Sequence, residues 1–520
     1  MKTKLFCFLI LSLCLFSISS CKDSDDNTST RGQQTVGDDE YVNNWIMDSM
    51  STYYLWNDHL PNRTSLDFST KPNDFFKSLL SYEAELLNKG GHVFSNIDLT
   101  HANIPKSSSI SDLGFEFVTI RFMNQAGVTL YYRYIVTYVK KGTDAEKQGL
   151  KRGYLISEVN GTAVAEDTWS SLLFNNESSY KLKCATNEAN NANGIYIEKT
   201  INTTPNYTDS PIFLDSIYTE GSRKIGYVVY NSFEAGGEST LPYDVQLSEI
   251  FTKFKQQNVT DLVVDLRYNG GGLVRSAKFI TSALVPNRDT KNIFEVKTYN
   301  TEIQTWLNGL DNNSRTKQSW MYEYFTDNIQ NTNGNVLASI PRLGDQLNSI
   351  CFIVTGYTAS SSEMTINTLK PYMDDAGKNL YLIGERTVGK NVGSWAIYEN
   401  NNSKNTYVIW PITFQSHNKL YPSDQSSAYG SGFTPTEEVD DFDMLSVGLK
   451  DLGDKEETML KASIAKIMGY STLSQKSTSN TILKISSSLD RKHKLTGGMY
   501  IDENELKKVN INTLNSSKAK

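Results

Sequence analysis

Hydrophobic positions first concentrate in a run from Leu5 to Phe16, broken only by Ser12, behind Lys2 and Lys4. The run is too short to span a bilayer, and with its basic start it has the shape of a secretory signal over residues 1–20. Val42, Trp45, Ile46, Met50, Tyr53 and Tyr54 then fall on one helical face. That aromatic stripe reads as core rather than binding surface, and a second helix is expected near 72–88. Residues 100–200 are strand-rich, with period two clearest in TLYYRYIVTYV at 129–139. From 223 onward, strand-like runs at 224–233, 259–268, 349–355 and 379–384 alternate with helical periods near 241–256, 272–284 and 361–373. That alternation predicts an α/β core. The polar stretch 300–346 is expected to be an insertion forming a helical lid. After about 470 the chain turns Ser/Lys/Asn-rich, as a weakly ordered tail would.

Composition adds limits. The 520 residues suffice for two to four domains. Loss of Lys2 and Lys4 with the signal lowers the basic residues from 51 to 49 against 58 acidic, taking the formal net charge from −7 to −9. An acid excess argues against binding nucleic acid or anionic lipid through net charge. Residues 22–40, KDSDDNTSTRGQQTVGDDE, read as a flexible acidic tether. Of the five cysteines, Cys7 and Cys14 lie in the signal and Cys21 directly follows it. Cys184 and Cys351 fall in different segments, as two separate buried thiols rather than a disulfide. The scattered histidines and the lack of a Cys/His cluster suggest no zinc site, and no metal or cofactor is expected. No later segment approaches eighteen consecutive apolar residues, so no other membrane span is expected.

Candidate chemistry concentrates at 358–390, TASSSEMTINTLKPYMDDAGKNLYLIGERTVGK. Ser360 opens an amphipathic helix at the positive end of its dipole. A serine becomes a nucleophile only when a base takes its proton and donors await the oxyanion. Lys390, if desolvated, can lose its charge and serve as that base. Ser360-x-x-Glu363 also fits a capping box, in which Ser360 merely caps the helix. Upstream, TDLVVDLRYNGGG at 260–272 runs a strand into Gly270, Gly271 and Gly272, whose unobstructed amides suit an oxyanion hole. An ordinary strand-to-helix turn is the alternative there. GERTVGK also matches a phosphate-binding loop at Gly384, Gly389 and Lys390. Against that, Asn391 replaces the magnesium-holding hydroxyl, and VGSWAIYEN alternates like a strand instead of opening a helix.

The order strand–GGG, TASSSE, strand–GERTVGK resembles the C-terminal processing (tail-specific) serine peptidases, from about Tyr41 to about Met468. The resemblance implies a ClpP/crotonase-like α/β core with a Ser360/Lys390 dyad. It puts the oxyanion donors at the amides of Gly272 (or Gly271) and Ser361, with Ser362 and Glu363 as a supporting pair. A glutamine that assists the lysine in some members is replaced by Ser394, leaving Ser394 or Ser362 to orient Lys390. GTDAEKQGLKRGYLISEVNGTAV at 142–164 resembles the second half of a PDZ domain, with Gly149, Leu150 and Gly153 at a helix-to-strand turn and Asn160-Gly161 as a hairpin. Leu113, Gly114, Phe115 and Glu116 would form its loop for a peptide's terminal carboxylate. RKIGYVVYNSF at 223–233 and GFTPTEEV at 432–439 resemble the opening and closing segments of the protease domain. ISSC at 18–21 resembles a bacterial lipobox, implying lipidation of Cys21 and a stable anchor once two or more acyl chains are attached. The acidic residues behind it resemble surface-export signals of some outer-membrane lipoproteins.

The expected architecture is multidomain α/β: signal 1–20, acidic tether 21–40, helical N-terminal domain 41–100, β-rich PDZ domain 105–205, protease domain 206–470 with an insertion at about 300–346, and polar tail 471–520. The expected activity is that of an exported, cell-envelope serine endopeptidase, at the outer membrane, cleaving proteins or peptides through an acyl-enzyme after PDZ capture of their C-termini. Two alternatives stand beside it. His417 in ITFQSHNKLYP is a rival base, against its reading as a surface-loop histidine. A non-catalytic PDZ peptide-binding lipoprotein is the rival from another class. Nothing in the sequence points to a particular oligomeric state.

Overall fold

The computed structural model describes residues 36–81, 93–99, 112–470 apart from 125, 174, 176, 238, 400, 401 and 425–428, then 481–488 and 501. The expected signal, Cys21, the tether up to residue 35 and most of the tail lie outside these.

The first helix, Val36–Tyr53, begins inside the expected tether. Asp38 and Asp39 sit in its first turn, where the helix dipole favours acids, and buried Asp39 pairs with Lys71 at 2.7 Å. Pro72–Ser78 forms the second helix, shorter than the expected 72–88, because residues 79–81 already leave it; 82–88 lie outside the described residues. This helical unit does not close a core by itself. Val42, Ile46, Met50, Phe75 and Phe76 pack with Val392, Ile409 and Ile412. The strand Asn96–Leu99 pairs antiparallel with Tyr407–Trp410, so the unit is fastened to the segment that follows Lys390.

Next comes a seven-stranded antiparallel sheet. Its order is Thr481–Ser487, Phe115–Met123, Thr129–Val139, Leu155–Val159, Ser179–Ala185, Ile197–Asn202, with Thr162–Ala163 paired on Leu155–Val159. Asn160 and Gly161 take φ of 50° and 80°, the left-handed pair that a two-residue hairpin requires. The outermost strand comes from the tail, which corrects the expectation of weak order for 481–487. Three apolar residues in TILKISS give little local signal. The unpaired backbone edge of Phe115–Met123 supplies what the sequence lacks, a row of hydrogen-bond partners.

The third unit is built on a six-stranded sheet: Glu437–Glu438, Asn379–Gly384, Ser349–Val354, Asp261–Asp265, Arg223–Tyr230, Ile212–Glu220. All neighbours run parallel except the last pair, a hairpin. Its central strands are buried on both faces, which is why they read as continuous apolar runs. Val264, Phe352 and Val354 face the helices Pro242–Gln256, Val274–Leu284 and Ser361–Asp375. Val263, Cys351 and Ile353 face Thr458–Met468 on the other side. Cys351 and Cys184 are buried and unpaired, in separate cores.

The stretch 300–346 is no lid. Its helices Thr301–Asn308 and Arg315–Met321 and the strands after them contribute Ile303, Leu307, Trp320, Phe325, Ile329 and Ile340 to the main core. Its apolar residues are spaced among Asn, Ser and Thr, so the linear pattern reads polar while the folded face is not.

Candidate active site

Three parallel neighbours, Asp261–Asp265, Ser349–Val354 and Asn379–Gly384, lead at their C-terminal ends into the glycine triplet, the TASSSE turn and GERTVGK. Sites form at that end of an α/β sheet because the loops converge there. The TASSSE turn is tied to the 261–265 strand's extension. Thr358 Oγ1 donates to Leu266 O at 2.8 Å, Ala359 N to Asn269 O at 3.2 Å, and Thr355 Oγ1 to Arg267 O.

Ser360 stands between strand and helix with φ 63° and ψ −118°. A non-glycine residue there carries strain on the order of 1–3 kcal/mol, held only because its surroundings over-determine it. Its Oγ is buried and has no hydrogen-bond partner. The cap comes from Glu363, whose Oε2 accepts from Ser360 N at 3.0 Å. The same carboxylate accepts from Lys390 N at 2.8 Å, Gly389 N at 2.6 Å and Thr387 Oγ1 at 2.5 Å. Burial pushes the Glu363 carboxyl up, while these donors pull against that rise. One buried side chain thus joins the serine turn to the lysine loop. It also closes the phosphate-loop reading, because the amides of Gly389 and Lys390 are spent on a carboxylate.

The glycine triplet is threaded tightly. A Cβ on Gly272 (φ 136°) would lie 2.3 Å from Phe233 O, and one on Gly271 (φ 107°) 2.6 Å from Ser360 Cβ. Gly271 N donates to Asn269 Oδ1 at 2.9 Å, which removes it from the expected oxyanion set and leaves Gly272 with Ser361. Ser361 Oγ donates to Gly272 O at 2.7 Å, fastening the two segments together.

Lys390 is buried, and its Nζ stands 4.7 Å from the centre of the Phe94 ring. The expected Ser360–Lys390 hydrogen bond is not made in this conformation, since Ser360 Oγ has no partner. Catalytic hydrogen bonds commonly close only around substrate. Neither expected lysine-orienting hydroxyl serves. Ser362 Oγ donates to Asn269 O at 3.0 Å, and Ser394 Oγ is buried without a partner. His417 is not on a surface loop: it ends the strand Ile412–His417, is buried, and has Nε2 3.0 Å from Thr298 Oγ1. Burial pushes its imidazole down to about 4.

The Leu113–Glu116 segment also departs from expectation. Phe115 and Glu116 already belong to a strand, and Gly114 N donates to Asp112 Oδ1 at 2.7 Å. Lys140 Nζ is ringed by Asp112 at 2.6 Å, Glu116 at 2.9 Å and Asp209 at 3.1 Å. An acid excess there opposes a free terminal carboxylate.

Sequence reasoning missed Asn269, Thr387 and Phe94. Asn269 directly precedes the triplet and Thr387 lies inside GERTVGK, so position could have flagged both. No local signal marks Phe94.

Comparison with known proteins adds the lineage. The family model Peptidase family S41 matches residues 224–439, and Peptidase S41 N-terminal domain matches 41–95. No curated protein matches the chain. Among solved structures, a putative S41 protease from Bacteroides fragilis is similar at TM-score 0.62 and 24% identity, over 82% of this chain and 98% of that one. The photosystem II D1 C-terminal processing protease is similar at TM-score 0.42 and 16% identity, over 77% of this chain and 93% of that one.

Proposed function

The chain belongs to peptidase family S41 and is a serine-type peptidase, and from that premise we propose that it is an endopeptidase with Ser360 as nucleophile and Lys390 as general base. Neutral Lys390 takes the Ser360 proton as Oγ attacks the scissile carbonyl. The amides of Gly272 and Ser361 hold the oxyanion, Lys390 protonates the leaving amine, and water resolves the acyl-enzyme. The 112–205 sheet serves as a PDZ-type unit that captures substrate peptide by strand addition. The N-terminal signal and Cys21 make the protein a lipid-anchored, exported enzyme of the cell envelope, at the outer membrane.

The observation that carries this reading is the Glu363 carboxylate, which binds the amides of both Ser360 and Lys390. A pure binder would have no use for a strained, unpartnered serine so placed. Ser360→Ala and Lys390→Ala should each remove nearly all hydrolysis of a fluorogenic peptide, and the double variant should be little worse, because the two act as one unit. Lys390→Arg should fail as well, since a guanidinium does not deprotonate. Full activity in Lys390→Ala would remove the lysine from the mechanism.

A further inference from the structure

Two places where an extended peptide can register are both filled by the chain's own C-terminal segment. The first is the outer edge of Phe115–Met123. Thr481–Ser487 lies antiparallel along it, from Met123↔Thr481 to Val118↔Ser487, so it runs toward the Leu113–Gly114 turn. Phe117 N donates to Ser488 Oγ at 2.9 Å, and Ser488 Oγ donates to Glu116 Oε2 at 2.5 Å. A neutral hydroxyl thus meets the acidic cluster around Lys140, where a free terminal carboxylate would be repelled. The edge suits an internal segment.

The second is Val392–Ser394, the outermost strand of a four-stranded sheet and the segment just past Lys390. Ile501 N donates to Ser394 O at 3.1 Å. The Ile501 side chain is buried in the same core as Trp395 and Phe414. A main-chain hydrogen bond to a sheet edge with an alternate side chain in a pocket is how strand-adding peptides are held. Ser360 is meanwhile fully buried.

We propose that residues 481–488 and 501 are a built-in peptide ligand of this enzyme. The 481–487 strand occupies the capture edge, and Ile501 occupies an aliphatic subsite beside Ser394 that a substrate residue takes during cleavage. The site's ligand class is an extended internal peptide segment bearing an aliphatic side chain. The inference rests on the peptidase reading above.

The test uses the full chain carrying Ile501→Asp, Ile501→Ala or Leu483→Pro, the last at an exposed position of the edge strand. The probe is a labelled synthetic peptide of residues 495–506, LTGGMYIDENEL. The Ile501 variants should bind it at least about tenfold more tightly than the wild-type chain, whose site is filled in cis. All three variants should cleave an unrelated aliphatic peptide with kcat/KM raised about tenfold. For the Ile501 variants, the 495–506 peptide should compete with that substrate, and its Ile501→Asp copy should not. Equal probe binding by wild type and Ile501 variants, or unchanged kcat/KM in folded variants of an active enzyme, overturns the proposal. Differential binding with no hydrolysis by any chain upholds the built-in ligand and strikes the peptidase reading instead.

Discussion

Ser360 owes its position to neighbours that leave it no alternative. Gly271 lies so close that any side chain would collide with it, and Glu363 holds its amide. Gly271→Ala should therefore displace Ser360, the proposed nucleophile, more than it disturbs the fold. An ångström of misplacement costs about a hundredfold in rate, so kcat/KM should fall by roughly that factor while the thermal midpoint drops only a few degrees. Parallel losses of activity and folded structure would mean the glycine serves packing alone. His417 supplies a different residue-scale test. Its folded imidazole is depressed to about 4, so the unfolded chain binds the proton more tightly between that value and the ordinary ~6.5. Stability is full above pH ~6.5 and falls as pH drops through this window, by on the order of 3 kcal/mol. His417→Asn should flatten the unfolding free energy over that range. An unchanged slope would assign the acid sensitivity elsewhere.

At the scale of elements, parallel strands do the positioning. Residues 272, 360 and 390 are far apart in the chain, yet the strands before them are neighbours and release them at the same, C-terminal end of the sheet. The 300–346 region carries the other lesson. Trp320 is fully buried, with ring centres of Tyr299 and Trp306 at 5.3 and 5.6 Å, and its carbonyl accepts from Tyr299 Oη at 2.6 Å. A lid would tolerate truncation at little cost. Trp320→Ala should instead destabilise the protein by about 3–5 kcal/mol, the usual range for emptying a core aromatic site, as read by denaturant titration. A loss below ~1 kcal/mol would restore the lid.

Across the whole molecule, a buried charge network joins the units. Arg152, in the turn leading into Leu155–Val159 of the antiparallel sheet, pairs with Asp441 at 2.7 Å. Arg267, beyond the central strand, reaches the same Asp441 oxygen at 2.7 Å, grips Glu457 with two nitrogens at 2.7 and 2.9 Å, and pairs with Asp265 at 2.8 Å. Tyr268 Oη donates to Asp441 as well. Burial acts to raise the Asp441 carboxyl, but Arg152 and Arg267 override it and hold it well below the carboxylate range. A depressed folded value stabilises above the unfolded pKa of ~3.9 and is lost as pH falls below it. Arg152→Met leaves Asp441 short of a partner in the interior, so it should cost about 3–5 kcal/mol near neutral pH. Part of the stability that wild type loses on acidification should vanish with it. An unaffected thermal midpoint would show the units to be docked by apolar contacts alone.

By itself the sequence determined the elements whose signal is local. Period two marked 129–139, apolar runs marked the buried parallel strands, and Asn160-Gly161 marked a hairpin, because each pattern reports burial along one short stretch. The S41 lineage was legible in three motifs for the same reason: TASSSE, GERTVGK and the glycine triplet carry their chemistry in adjacent residues. The tertiary structure alone decided which residues surround those motifs. That Glu363 would hold Lys390 as well as Ser360, that Asn269 would withdraw Gly271, and that Phe94 would stand over the lysine depend on residues brought together across the chain. The same holds for His417, buried by strands on both sides of it, and for 481–487, ordered by an edge that lies more than 350 positions earlier. Pairings of that kind arise from packing and unsatisfied backbone edges, which no short window of sequence contains.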